Sequence, residues 1–260
     1  MKKTAITYHT PGGILWKVLP DESCQYLVIE SRDGEKRKTL FSVLSLEKEK
    51  FLVKEIPAAK SWWIGLKAVG QGKIVFQGYK ELQTPEPMGV YVSDLHTGKL
   101  CWKEEEKLFY AFAENTLLLT TIEDGKTVFY SADPENGKMK TIAEESVPVD
   151  SARETSMLFP LLYDEDNAHY KTIVGFLQQN DVKPSGPIEY LEYQSYVLIA
   201  FYVQEGKKWK NILWALDEEG ELVLNEQLSE GEGIGMSSFF ICGKKLIYIK
   251  DKTSLALVEL

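Results

Sequence analysis

Cysteine and histidine are both scarce in this 260-residue chain, with three of each. Cys24, Cys101 and Cys242 are odd in number and far apart, so reduced, buried thiols in the cytoplasm are the expected state rather than a disulfide framework. No Cys-x-x-Cys, His-x-x-x-His or Glu-x-x-His spacing occurs, so no metal is expected. A Gly-x-Ser-x-Gly elbow is missing too. The GEGIG stretch, with Gly231, Gly233 and Gly235, falls short of a phosphate loop or a dinucleotide fingerprint and precedes a strand-like run. No cofactor is expected. No run reaches the ~20 apolar residues of a membrane helix. Lys2 and Lys3 are not followed by an apolar stretch, so neither a membrane partner nor a secretory signal is expected. Positive charge is in deficit as well: the formal net charge is −9. Such a chain repels phosphate backbones, so nucleic acid is not an expected partner. The one compact basic run, Lys36 to Lys38, follows Gly34 and Glu35 and reads as a solvated turn.

What is present is aromatic, alternating and repeated. Aromatic residues make up 12% of the chain, including 13 tyrosines and 11 phenylalanines, which favours pleated, half-buried surfaces. One pattern recurs three times: GVYVSDLHTGKLCWK at 89–103, TVFYSADPENGKMK at 127–140 and NILWALDEEGELVL at 211–224. Each reads as a strand, a tight turn from Asp to Gly, and an antiparallel return strand. The Asp side chain can hold the turn and Gly tolerates positive φ. The turn residues are Asp94 and Gly98, Asp133 and Gly137, and Asp217 and Gly220. Asp94 and Asp133 are about 40 residues apart, and Asp217 follows after about twice that, the period of a four-stranded propeller blade.

Two looser blocks, 25–56 and 233–260, raise the count to five. The last block lacks a fourth strand, and Gly13 to Lys17 resembles the return strand Gly98 to Lys103, so the N-terminal strand is expected to close the fold. The expected architecture is therefore all-β: one domain over 1–260, a small β-propeller of about five four-stranded antiparallel blades. A β-sandwich or a pair of barrels would use similar strands. Residues 142–186 break the rhythm. A loop is expected over 146–157, and Tyr170, Ile173, Val174 and Leu177 recur at helical spacing, with Asp166 or Asn167 as the cap. The segment reads as an inserted loop and helix, or as a degenerate sixth blade.

Chemistry-bearing candidates are few. Glu30 and Arg32 share a strand face with Tyr26 and Val28, and can pair with each other or line a channel. Trp62 and Trp63 are adjacent, so one should point inward and one outward. Trp16, Trp102 and Trp214 read as packing between blades. Glu189 and Glu192 differ by three, which puts them on opposite faces of an ideal strand and is poor geometry for an acid–base couple. Asn211 opens the third repeat, where it can orient a ligand. Asp164, Glu165 and Asp166 form an acidic cluster without the alternation of a calcium loop.

Asp94, Thr97, Gly98 and Trp102 resemble repeats of quinoprotein-type propellers, although the second copy lacks the Trp. LVIESRD at 27–33, SWW at 61–63, PIEYLEYQSYVLIAFY at 187–202 and NILWALDEEG at 211–220 resemble DUF4905, a family typical of Bacteroidetes. That resemblance implies no activity and no catalytic residue. Two functions remain open. One is a non-catalytic binding or scaffold protein that receives a protein, peptide or small-molecule ligand on the central face, through Glu30, Arg32, Trp62, Glu189, Glu192 and Asn211. The other is a carbohydrate-active hydrolase or lyase with carboxylates near the ring axis. The missing catalytic grouping favours the first.

Overall fold

The structure, a computed structural model, describes residues 6–57, 61–80, 84–147 and 157–260. The chain divides into two compact units, Pro11–Ser156 and Met1–Thr10 with Met157–Leu260. In chain order, β1 is Ile6–His9. The first blade holds β2 (Ile14–Pro20), β3 (Tyr26–Asp33), β4 (Lys38–Ser45) and β5 (Lys50–Val53). The second holds β6 (Ile64–Gly70), β7 (Lys73–Lys80), β8 (Glu86–Asp94) and β9 (Leu100–Glu104). The third holds β10 (Leu108–Ala113), β11 (Thr116–Glu123), β12 (Lys126–Ala132) and β13 (Met139–Ile142). Two short strands follow, β14 (Met157–Leu158) and β15 (Leu161–Tyr163), and then α1 (Tyr170–Gln179). The fourth blade holds β16 (Ile188–Tyr193), β17 (Tyr196–Glu205), β18 (Lys208–Leu216) and β19 (Leu222–Gly231). The fifth holds β20 (Phe239–Cys242), β21 (Lys245–Lys250) and β22 (Ser254–Glu259). Within each blade consecutive strands pair antiparallel, so the fold is all-β and of the small β-propeller class.

The closing strand is β1, which pairs with β22 from Ile6 opposite Val258 to His9 opposite Leu255. Residues 13–17, expected in that role, instead lead into β2, which pairs with β3 through Ile14, Leu15 and Lys17. The resemblance of Gly13 to Lys17 to a return strand reported only that both are short edge strands with a Trp. Which partner each one takes is set by register.

The Asp–Gly turns form as the sequence indicates. Asp94 Oδ1 accepts hydrogen bonds from the Thr97 N–H at 2.8 Å and its hydroxyl at 2.7 Å. Burial works against the Asp94 charge, but Thr97 and the Lys73 ammonium outweigh it and hold the carboxyl below its ordinary value. Asp133 and Asp217 hold their turns the same way, through the N–H groups of Glu135 and Glu221.

Blades in the middle of a unit are buried on both faces, which explains apolar runs where simple alternation would predict polar residues. Ile74 and Phe76 of β7 pack toward Val28, Phe41 and Val43 of the first blade. Val75, between them, packs toward Phe109, Leu117 and Leu119 of the third. In the other unit, Leu198 and Leu213 face Phe239 and Tyr248 of the fifth blade. The opposite face of the fourth blade, with Ile199, Phe201 and Trp214, is covered by Tyr170, Ile173 and Leu177 of α1. The helix thus decorates blade four. Its N-cap is His169, while the Asn167 side chain accepts the His169 N–H at 2.9 Å instead of capping the helix itself. Most of the loop expected over 146–157 lies outside the described residues. The strands that follow it extend existing sheets: β14 pairs with β20 and β15 with β16.

The tryptophans are not repeat-equivalent. Trp102 of β9 docks on the next blade, where its Nε1 donates to the Pro134 carbonyl at 2.9 Å. Trp214 packs edge-on against Phe201 within its own blade. Trp16 is 65% exposed and does not pack into a core.

The Trp102 docking needs Gly137. Its φ is 71°, and a Cβ there would lie 2.7 Å from the indole ring. Gly125 has φ 75° and open space around it. Both Gly→Ala changes should cost about 1 kcal/mol for the left-handed backbone. Gly137→Ala should cost about 1–3 kcal/mol more for the overlap, measured by urea unfolding. A Trp102→Ala background should erase that excess.

Candidate functional site

The sequence-named residues fall into two clusters and one outlier. In the unit Pro11–Ser156, Glu30, Arg32 and Trp62 come together. Glu30 sits on β3 opposite Lys17 and Phe41 and is 1% exposed. Its Oε1 accepts from Arg32 Nε at 2.8 Å, and its Oε2 accepts from the Leu66 backbone N–H at 2.7 Å. The carboxylate therefore ties the first blade to the first strand of the second. Close approach is eased by Gly65, where even a Cβ would meet Glu30 Oε2 at 3.4 Å. Burying a carboxylate is tolerable only with this degree of pairing.

Arg32, two residues on, points from the same face. Its guanidinium carbon lies 4.8 Å from the Trp16 ring centre and 5.2 Å from that of Trp62. A planar, weakly hydrated cation suits this position between two indoles. Trp62 and Trp63 are both half-buried, so neither is fully inward or outward. Trp16 joins the site although its sequence context reads as packing. Lys17 lies beside it, and its ammonium is held below its ordinary pKa by burial and by the Lys67 charge, against the pull of Glu30.

The second cluster, in the unit that contains Met157–Leu260, joins Glu189 and Asn211. Glu189 accepts the Ser238 N–H at 3.0 Å and also the Ser237 N–H, where the backbone has φ 59°. Asn211 Nδ2 donates to Ser238 Oγ at 2.6 Å and to the Tyr202 hydroxyl at 3.1 Å. Tyr202, unrecognised from sequence, donates to the Gly235 carbonyl at 3.0 Å and accepts its N–H at 2.8 Å. Burial, aided by the Glu189 charge, pushes its phenol up against the hydrogen bonds from Gly235, Asn211 and Ser238. The GEGIG connection thus folds over Tyr202 and Asn211 and bounds a cleft of about 370 Å³. Glu192 is the outlier. It is exposed and accepts the Tyr190 hydroxyl at 2.5 Å, while burial and that bond push the phenol up to about 12.

Two larger clefts, about 630 and 660 Å³, lie along the third blade and hold none of the site residues named from the sequence. Asp164 accepts the Asp166 N–H. Among the described residues no three His, Cys, Asp or Glu side chains are grouped to hold a metal ion.

Because Glu30 satisfies both Arg32 and Leu66, Glu30→Ala should cost about 3–5 kcal/mol in equilibrium unfolding. Glu192→Gln, on the surface, should stay within about 0.5 kcal/mol. Similar losses for the two would sink the assignment of Glu30 as the tie between blades.

No curated protein matches the sequence. Several solved structures resemble the chain at low identity. The Dos1 propeller is 11% identical over 99% of this chain and 95% of its own, with a TM-score of 0.40. The β-propeller domain of the Trilobed protease from Pyrococcus furiosus is 14% identical over 88% of this chain and 73% of its own, with a TM-score of 0.36. Protein lmo1340 from Listeria monocytogenes EGD-e is 10% identical over 92% and 80%, with a TM-score of 0.34. The family resemblance seen at 27–33 and 61–63 falls inside a family-level match, and the stretches at 187–202 and 211–220 fall outside it. Over residues 20–102, which carry Glu30, Arg32 and Trp62, the chain matches the family model described as Domain of unknown function (DUF4905).

Proposed function

We propose that this protein is a non-catalytic binding protein and that Trp16, Arg32 and Trp62 contact its ligand. One observation carries the reading: Arg32 is held between two indoles by a carboxylate already spent on it, and one of those indoles is 65% exposed. A large, rigid aromatic face left in water beside a fixed cation gains contact area at little cost in side-chain entropy when a ligand covers it. The partner on this reading is a small molecule, a peptide or a protein segment.

The alternative, a carbohydrate-active hydrolase or lyase, needs a carboxylate free to take or give a proton at the substrate. Glu30 is bound to Arg32 and Leu66, and Glu189 to Ser237 and Ser238. Commitments of this kind suit structural carboxylates, which is why binding is preferred.

The test is a panel of mono- and oligosaccharides and short peptides, followed by tryptophan fluorescence and by chromatography of the mixture after long incubation. A ligand should change the fluorescence and be recovered intact. Trp16→Ala should weaken binding more than tenfold, about 1.4 kcal/mol, and lower stability by less than about 1 kcal/mol. Product formation that is lost in Glu30→Gln or Glu189→Gln would replace the binding reading with the catalytic one.

A further inference from the structure

The three blades of Pro11–Ser156 share a feature missing from the other two. The first strand of each carries one extra residue against its partner strand. In β2 the extra residue is Trp16, between Leu15 opposite Ser31 and Lys17 opposite Glu30. In β6 it is Lys67, between Leu66 opposite Phe76 and Ala68 opposite Val75. In β10 it is Tyr110, between Phe109 opposite Leu119 and Ala111 opposite Leu118. Lys67 and Tyr110 occupy the same place in their blades, and Trp16 lies opposite a point two residues further along the second strand. The first strands of the fourth and fifth blades pair without a break. A bulge turns its extra side chain out of the ladder, and Trp16, Lys67 and Tyr110 are all exposed.

The Lys67 and Tyr110 bulges are held from the preceding blade. The residue before Lys67 is Leu66, whose N–H goes to Glu30. The residue before Tyr110 is Phe109, whose N–H points to Gln77 Oε1 at 3.5 Å. Glu30 and Gln77 hold equivalent positions, each four residues past the start of its strand, β3 or β7. The same side-chain position in successive blades thus sets the next bulge.

The edges differ in parallel. In the unit that contains Met157–Leu260, β15 and β14 cover the first-strand edges of β16 and β20. Among the described residues β2, β6 and β10 have no such cover and end their sheets. Part of their backbone N–H and C=O groups is left to solvent.

We infer that the first strands β2 and β6 form a binding face for an acidic sugar ring, a hexuronic-acid-type ligand. This rests on the binding reading above and gives it a ligand class. The exposed face of Trp16 suits the C–H face of a pyranose, whose slightly positive hydrogens meet the negative face of the ring. Open edge groups supply donors and acceptors together, which matches hydroxyls that do both; a phosphate only accepts. Lys17 stands opposite Glu30 in the ladder, and Lys67 follows Leu66, whose N–H is bound to the same Glu30 carboxylate, so both lysines border one stretch of the edge. Burial and the Lys67 charge lower the Lys17 ammonium pKa, and a carboxylate there would relieve the repulsion between the two charges. Arg32 is neutralised by Glu30, so Lys17 and Lys67 supply the charge selection. The net charge of −9 opposes a densely charged polymer such as nucleic acid. One carboxylate on a neutral ring fits both the local and the global charge.

The test uses the full chain with D-glucuronate and D-glucose, which differ only in the C6 carboxylate, and a ten-residue oligothymidylate. Saturation-transfer NMR titration reads binding of each. Glucuronate should bind at least tenfold more tightly than glucose in low salt. Lys67→Ala, a surface change, should bring glucuronate to the level of glucose and leave glucose unmoved. Trp16→Ala should weaken both sugars at least tenfold with its unfolding midpoint retained. Equal affinity for the two sugars would overturn the acidic class while leaving a binding face in place. Loss of discrimination without dependence on Trp16, or no transfer to either sugar, would overturn the inference. The broader ligand panel reports separately on whether this face binds anything. Tighter, Trp16-dependent binding of the oligothymidylate would assign the face to single-stranded nucleic acid instead.

Discussion

Glu30 places a full negative charge where two sheets meet, and its surroundings are arranged to keep that charge satisfied. One oxygen takes the Arg32 guanidinium and the other takes the Leu66 N–H of the next blade. The first contact fixes Arg32 against Trp16 and Trp62. The second holds the strand beside the Lys67 bulge. Gln77 repeats the reach toward Phe109 with a neutral amide, so the device does not depend on charge. It depends on an acceptor of the right length at one position of the second strand. An unsatisfied backbone N–H next to a bulge would cost about 1–3 kcal/mol, enough to fix that acceptor in place.

The two units protect their sheet edges differently. Where the insertion adds β14 and β15, the first strands pair on both sides and run straight. Where no strand is added, bulges break the edge and put Trp16, Lys67 and Tyr110 outside it. Bulged, charged and aromatic edges are poor templates for another strand. They also leave side chains and backbone groups available to a ligand. Edge protection and binding therefore draw on the same few residues in this protein.

Much of the site was readable only in part. Glu30 and Arg32 stood out because a charged pair on one face of an otherwise apolar strand needs a reason. Glu189 and Asn211 proved to be neighbours through Ser238, although their separation in sequence does not suggest it. Trp16 reads as packing because its context, a short strand after two glycines, matches the return strand that carries Trp102. The bulge that exposes it comes from pairing with Ser31 and Glu30, and no residue of β2 announces it. Tyr202 carries no sequence signal for a similar reason: only the register of β17 against β18 brings it opposite Asn211.

The blade count, the Asp–Gly turns and the helix near residue 170 came from the order of residues alone. They rest on local chemistry: alternation of side chains along a strand, an Asp that bonds its own turn, a Gly at positive φ, and apolar residues three and four apart. The identity of the closing strand, the edge strands at 157–163 and the outward face of Trp16, Lys67 and Tyr110 were decided in three dimensions. Each depends on which strands meet and in what register. That choice is made by burial of both sheet faces and by long-range polar partners such as Glu30, whose contributions no local window contains.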